Sequence, residues 1–287
     1  GPVMRFEATN LDGGIFSLVD ENDELVALIG GHVDDLLLVA KYLTIKVQLL
    51  AILKKRFGEV TEGDGSSFCG LAILDVEENC IKICQPAYLK QLGSTLNLEE
   101  ETKHISENTL NKYKTEPWNS SQIGFGLSDE KINVKKYQTA IGELLYAVQT
   151  RPEINPMLAY LSTRQIDPRK DDFEKVIRLI LYLKNTHDEG ITFQAPQLHK
   201  ENGKPFLHST CDSSYKLAEG YGFTGFTISL GYNSAPFATV SKRQHLVTNS
   251  SAEAEMVGYN MATAMIVWLR NCMTFIFRVK QLPTTYI

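Results

Sequence analysis

The chain has 287 residues, 43% hydrophobic and 22% charged, which supplies enough apolar side chain for true cores and excludes a disordered chain. Its 29 basic and 34 acidic residues leave a formal charge of −5, which excludes a binder that holds nucleic acid by bulk positive charge but leaves local basic patches open. No apolar run approaches the ~20 residues of a membrane span. Five cysteines without regular spacing or histidine partners read as free thiols of a reducing, intracellular compartment, not as a zinc site.

Gly1-Pro2 reads as the scar of a cleaved tag, with native sequence starting near Met4. A strand meander is predicted next, with apolar runs at 15–19, 25–33 and 36–40 and a turn at Asp20-Glu21-Asn22-Asp23. Ile45, Leu49, Ile52, Leu53 and Phe57 recur at helical spacing, Gly58 stops that helix, and Lys54-Lys55-Arg56 reads as a solvated face. A hairpin is predicted over 68–76 and 80–84, and Pro86 opens another helix. Residues 97–133, rich in Glu and then in Pro, Ser and Gly, read as a long polar surface loop. Helices are predicted over 137–148, 157–163 and around 173–180, and 194–204 reads as a linker. Strands at 206–212, 221–230 and 237–241 lead to a helix capped by Ser250 or Ser251, and 283–287 reads as a nascent strand. Trp268, on an apolar helix face, is expected in the core; Trp118 is open between core packing and base stacking. His208 and His245 read as structural.

Four carboxylates stand out. Asp34 and Asp35 are adjacent at a turn between apolar strands, a costly place unless they are solvated, paired or metal-bound. Both a solvated hairpin tip and a metal-binding pair fit the spacing. Asp212 ends a strand and Glu255 lies in the first turns of a helix, so they are either half of a carboxylate cluster or an edge residue and a dipole-complementing glutamate.

Several segments carry a joint resemblance. They are His32-Val33-Asp34-Asp35-Leu36-Leu37; Phe68-Cys69-Gly70-Leu71-Ala72-Ile73; Tyr137, Gly142 and Leu144-Leu145-Tyr146; Thr150-Arg151-Pro152-Glu153-Ile154; Tyr182-Leu183-Lys184-Asn185-Thr186; Cys211-Asp212-Ser213-Ser214-Tyr215; Ser241-Lys242-Arg243-Gln244; and Ser250-Ser251-Ala252-Glu253-Ala254-Glu255. In this order and spacing the chain resembles the reverse transcriptase–RNase H region of copia-type long-terminal-repeat retrotransposons. Cys69 stands where that family usually has Leu.

The resemblance implies an α+β fold in three segments. These are a partial palm at 4–95, a polar crossing with thumb- or connection-like helices at 96–203, and a truncated RNase H-like domain at 204–287. It implies Asp34 and Asp35 as polymerase carboxylates, Asp212 and Glu255 as RNase H carboxylates, and Mg²⁺ as their ion, with Glu253 a cap or solvent-facing residue. The family's third palm aspartate and its further RNase H aspartates find no match in this sequence, so incomplete sites without tightly bound Mg²⁺ are expected.

Two functional classes follow. One is a catalytically inactive retrotransposon remnant, domesticated or not, acting as an interaction module or a weak, salt-sensitive nucleic-acid-associated module. The other is a subunit or fragment of an active RNA-directed DNA polymerase and ribonuclease H completed by another chain. A homodimer or a heterologous protein partner is expected to contact residues 205–287, because Met261, Met265, Ile266, Trp268, Phe275, Ile276 and Phe277 have little following sequence to pack under. No membrane contact is expected.

Overall fold

The computed structural model describes residues 4–118, 128–198, 203, 205–218, 221–278 and 284–286. Gly1-Pro2, the Gly- and Ser-containing part of the predicted loop, most of the predicted linker after Leu198, Pro283, Ile287 and the side chain of Phe277 lie outside the described residues. Among the described residues the fold mixes helix and sheet, with three four-stranded sheets.

The first sheet holds the three predicted strands, here β2 (Ile15–Val19), β3 (Leu25–His32) and β4 (Asp35–Ala40), and adds at its edge an unpredicted strand β1 (Arg5–Ala8), antiparallel in the order β1-β2-β3-β4. Helix α1 (Leu43–Phe57) packs on it through Ile45, which joins Leu18, Val26 and Ala27 in a small core. Gly58 ends α1 at φ +83°, donating its N–H to the Lys54 carbonyl, and Lys54, Lys55 and Arg56 are exposed.

The second sheet begins with β5 (Ser67–Phe68), β6 (Leu71–Glu77) and β7 (Cys80–Cys84), followed by α2 (Pro86–Gln91) with proline at its first position. The predicted long loop is corrected here. It contains α3 (Leu98–Thr102) and α4 (Glu107–Thr115), started by side-chain caps in which Asn97 Oδ1 accepts from Glu100 N and Ser106 Oγ from Thr109 N. Their polar composition hid them, because capping residues and first-turn glutamates resemble loop chemistry when the apolar stripe is short.

Next come α5 (Val134–Ala147), a 3-10 turn at Pro152–Ile154, α6 (Asn155–Ser162), α7 (Lys170–Asn185) and β8 (Gly190–Gln194). Strand β8 pairs antiparallel with β7 and completes the second sheet, so the chain at Gln194 is strand rather than linker. Gly190 is required at this crossing, because a Cβ there would lie 2.3 Å from the Ile83 carbonyl oxygen.

Phe173, Val176, Ile177, Ile180 and Leu183 form the buried stripe of α7 at helical spacing. They join Leu89 of α2, Ile141 and Leu144 of α5 and Leu158 of α6 in the largest core. Trp118 belongs to this core, its indole N–H donating to the Glu153 carbonyl at 2.8 Å. Arg151 is buried beneath the 3-10 turn, donating to Glu153 Oε1 at 2.7 Å and to the Thr186 carbonyl at 2.8 Å. The Trp118 and Arg151 contacts tie the start of the 3-10 turn to the ends of α4 and α7.

The third sheet has β9 (Leu207–Ala218), β10 (Tyr221–Leu230) and β11 (Pro236–Arg243), then α8 (Ser251–Phe277) and β12 (Thr284–Tyr286). The strand order is β11-β10-β9-β12, with β12 parallel to β9 and the other pairings antiparallel. Leu207, Phe226 and Ile228 meet Ala262, Ile266 and Leu269 of α8 in a second core. On the opposite face α6 lies against β11, and Phe223 enters the helical core.

Two expectations about single side chains are corrected. Ile266 is fully buried, while Met261 and Met265, half-buried, pack on one side against the sheet. Trp268 is 42% exposed instead of buried. The helical period places Ala254, Gly258, Ala262, Ile266 and Leu269 against the sheet and carries Trp268 to the flank. His208 packs edge-on against Tyr232, burial pushes its pKa down, and His245 is exposed. All five cysteines are free.

Candidate carboxylate sites

Asp34 and Asp35 sit at the tip of the β3–β4 hairpin, where His32 pairs with Asp35 across a two-residue turn. Val33 occupies that turn at φ +55° and is 95% exposed. A β-branched residue gains no packing there and is strained in the left-handed region, which tight functional turns tolerate and ordinary ones avoid.

Beside the tip lies a second two-residue turn, Cys69-Gly70, joining β5 to β6 with both residues at positive φ. Strand β4 lies against β5, which brings this turn near the aspartate hairpin, and burial, then the charges of Asp35 and Asp34, push the Cys69 thiol pKa up. Tyr146 of α5 donates its hydroxyl to the Cys69 carbonyl at 3.1 Å and anchors the turn to the helical core. Both aspartates are exposed.

Asp212 and Glu255 meet at the start of α8. Ser213 N–H lies 2.9 Å from Asp212 Oδ1 and 3.4 Å from Glu255 Oε1, so one donor faces both carboxylates. Those charges also add to the burial that holds the Cys211 thiol pKa up. Ser250 caps the helix through Glu253 N, and Glu253 accepts from Asn249 N at 2.7 Å, which makes Glu253 a capping residue. Gly258 lets α8 approach the strands, since a Cβ there would lie 2.3 Å from Ser213 Oγ.

Asp212 also borders a cleft of about 480 Å³ between the sheet and the start of α6, lined by Pro152, Glu153, Pro156, Thr210 and Thr239. Ser213, Gln244 and Gly258 were not predicted as part of this site. A glycine inside a helix, costing about 1 kcal/mol against alanine, was the one sequence signal that pointed to close helix–strand approach.

The chemistry of the donor set suits a hard divalent cation. Asp212 and Glu255 offer carboxylate oxygens from two elements, and neither they nor Asp34 and Asp35 form an ion pair with Lys, Arg or His among the described residues. Among the described residues no group of three or more His, Cys, Asp or Glu is placed to hold a metal. The structure therefore gathers the four sequence-derived carboxylates as two separate pairs. No helix among the described residues is long and apolar enough to cross a membrane.

No protein-family profile matches the chain. Among its homologues are retrovirus-related Pol polyproteins of plant transposons. It is 25% identical over 267 residues to that of transposon TNT 1-94 of Nicotiana tabacum, covering 89% of this chain and 18% of the polyprotein. It is 25% identical over 246 residues to that of transposon RE2 of Arabidopsis thaliana, covering 85% of this chain and 16% of the polyprotein. The chain thus spans less than a fifth of these relatives. An uncharacterized mitochondrial protein of Arabidopsis thaliana is 26% identical over 239 residues, covering 83% of this chain and 92% of that protein.

Proposed function

We propose that the chain is a retrotransposon-derived reverse transcriptase–RNase H segment, with a partial palm around the Asp34–Asp35 hairpin and an RNase H-like unit around Asp212 and Glu255. The strand order β11-β10-β9-β12, with a helix before the parallel return, supports the second assignment. The Asp-Asp hairpin, strained at Val33 and lying near the Cys69-Gly70 turn, supports the first. The observation that carries the proposal is the convergence of Asp212 and Glu255 on one backbone N–H.

In this reading Asp212 and Glu255 would hold Mg²⁺, with Ser213 N–H orienting them, and Asp34 and Asp35 would hold it at the hairpin. Mg²⁺, when bound, supplies charge stabilisation for phosphoryl transfer. Two carboxylates per site hold such an ion weakly, so these 287 residues alone neither polymerise DNA nor cleave RNA. They act as an interaction or nucleic-acid-associated module, domesticated or not. Their association surface with a second copy includes the apolar groove of about 650 Å³ lined by Phe226, Val240, Met261, Met265 and Trp268. A second reading, a piece of an active enzyme completed by another chain, is favoured by the small share of the polyprotein relatives that the chain spans.

The test is primer extension and RNA–DNA hybrid cleavage with Mg²⁺ or Mn²⁺. No turnover is expected from this chain alone. Extension abolished by Asp34→Asn, or cleavage abolished by Asp212→Asn, would overturn the inactive reading. Fluorescence anisotropy with the hybrid should give weak binding that disappears near ~0.2 M salt, since few phosphate contacts form.

A further inference from the structure

Gln244 follows β11 and is 1% exposed. Its side-chain amide donates twice, to Thr224 Oγ1 on β10 at 2.9 Å and to the Ala254 carbonyl of α8 at 2.8 Å. Thr224 Oγ1 lies 3.1 Å from Ser213 Oγ. One end of this buried relay is therefore the residue before Glu255, and the other is the residue after Asp212, whose N–H faces both carboxylates.

The arrangement has a cost. Gln244 Oε1 is buried without a partner among the described residues, and its backbone N–H is committed to the Gly222 carbonyl at 2.8 Å. Leaving a buried acceptor unpaired is unfavourable, and an apolar side chain of the same volume would avoid it. The amide supplies what an apolar chain cannot, two donors that fix the height of α8 above β10. Gly258 lets the helix come close, and Gln244 sets where along the strands it stops.

We propose that Gln244 is a positioning residue that sets the gap between Asp212 and Glu255, and through it the affinity of the pair for a divalent cation. The inference rests on the reading of this pair as a metal site. Partners that orient metal-ligating side chains typically contribute 10- to 100-fold in affinity, so loss of both donors should weaken binding by about tenfold or more.

Mn²⁺ titration of the full chain, followed by electron paramagnetic resonance, tests this. Wild type should bind Mn²⁺ in a manner lost in Asp212→Asn. Gln244→Met, which keeps the volume and removes both donors, should weaken that binding about tenfold while the chain stays folded by circular dichroism. Gln85→Met, at another buried glutamine, should change stability without changing Mn²⁺ affinity. Wild-type affinity in Gln244→Met, or an equal loss in Gln85→Met, overturns the inference and leaves the metal-site reading standing. Absence of any Asp212-dependent Mn²⁺ signal in wild type overturns that reading and the inference with it. If Gln244→Met does not fold, Thr224→Val removes the same relay oxygen at equal volume and decides by the same criterion.

Discussion

Replacing Gly258 with alanine should destabilise the protein, against the helix propensity scale. In an open helix interior this change gains about 1 kcal/mol. Here the new Cβ would lie 2.3 Å from Ser213 Oγ and 3.2 Å from both Cys211 Sγ and Thr224 Cγ2. The Ser213 hydroxyl can rotate away, but doing so breaks its 3.1 Å contact with Thr224 Oγ1, and a lost buried hydrogen bond costs about 1 kcal/mol. The Cys211 and Thr224 contacts come from two strands beneath the helix, so relieving them lifts α8 from the sheet. Overpacking of this kind costs about 1–3 kcal/mol. Setting the propensity gain against these two costs leaves a net loss of about 1–3 kcal/mol. Urea unfolding followed by far-ultraviolet circular dichroism measures it. Ser213→Ala removes the atom in closest contact, so a double-mutant cycle should return a favourable coupling of about 1 kcal/mol. Wild-type or greater stability in Gly258→Ala would refute the close approach of α8 to β9 on which the geometry of Asp212 and Glu255 depends.

Other predictions test other parts of the structure. Val33→Gly should leave stability unchanged or raise it by up to about 1 kcal/mol, since relief of left-handed strain (about 1–2 kcal/mol) exceeds the added backbone entropy; a clear loss in urea unfolding would contradict the strained turn. Burial, then Glu143 and Tyr146, push the Tyr88 hydroxyl up to about 12 from an ordinary value of 10. The folded chain therefore keeps this proton after the unfolded chain has released it, and the stability it contributes is complete below pH 10 and lost as pH rises from 10 to about 12. Tyr88→Phe should consequently cost more stability at pH 8 than at pH 11.5; an equal cost at both would count against the buried hydroxyl. Trp268→Asp should shift sedimentation toward monomer without unfolding the chain, because this side chain is 42% exposed, whereas a wild-type chain that is monomeric at all concentrations would remove the proposed association surface.

How much was legible before the fold was known follows the distance over which each feature is decided. Strands β2 to β4, α1 with its Gly58 stop and the Pro86 start were readable because alternation, helical spacing and backbone-restricting residues act within a few neighbours. Asp34 and Asp35 were readable as a pair for the same reason, since a single turn presents both. The capped helices α3 and α4 were missed because their local chemistry is also loop chemistry, and only packing, of α4 against α7 and of Leu98 in α3 against the helical core, selects the helix. Strand β8 was missed because its partner β7 lies far away in sequence, on the other side of the helical bundle. Trp268 was misplaced because nearly every face of α8 is apolar, so periodicity could not say which one the sheet would cover. Sequence thus determined the residue types available for chemistry and the local elements that carry them. Tertiary structure alone decided that Asp212 and Glu255 share one amide and that Gly258 and Gln244 set the fit, because those contacts join β9, β10 and α8 across the sheet. Hydrogen bonds and steric limits between distant segments leave no periodic trace in the chain; they exist only once the core has brought the segments together.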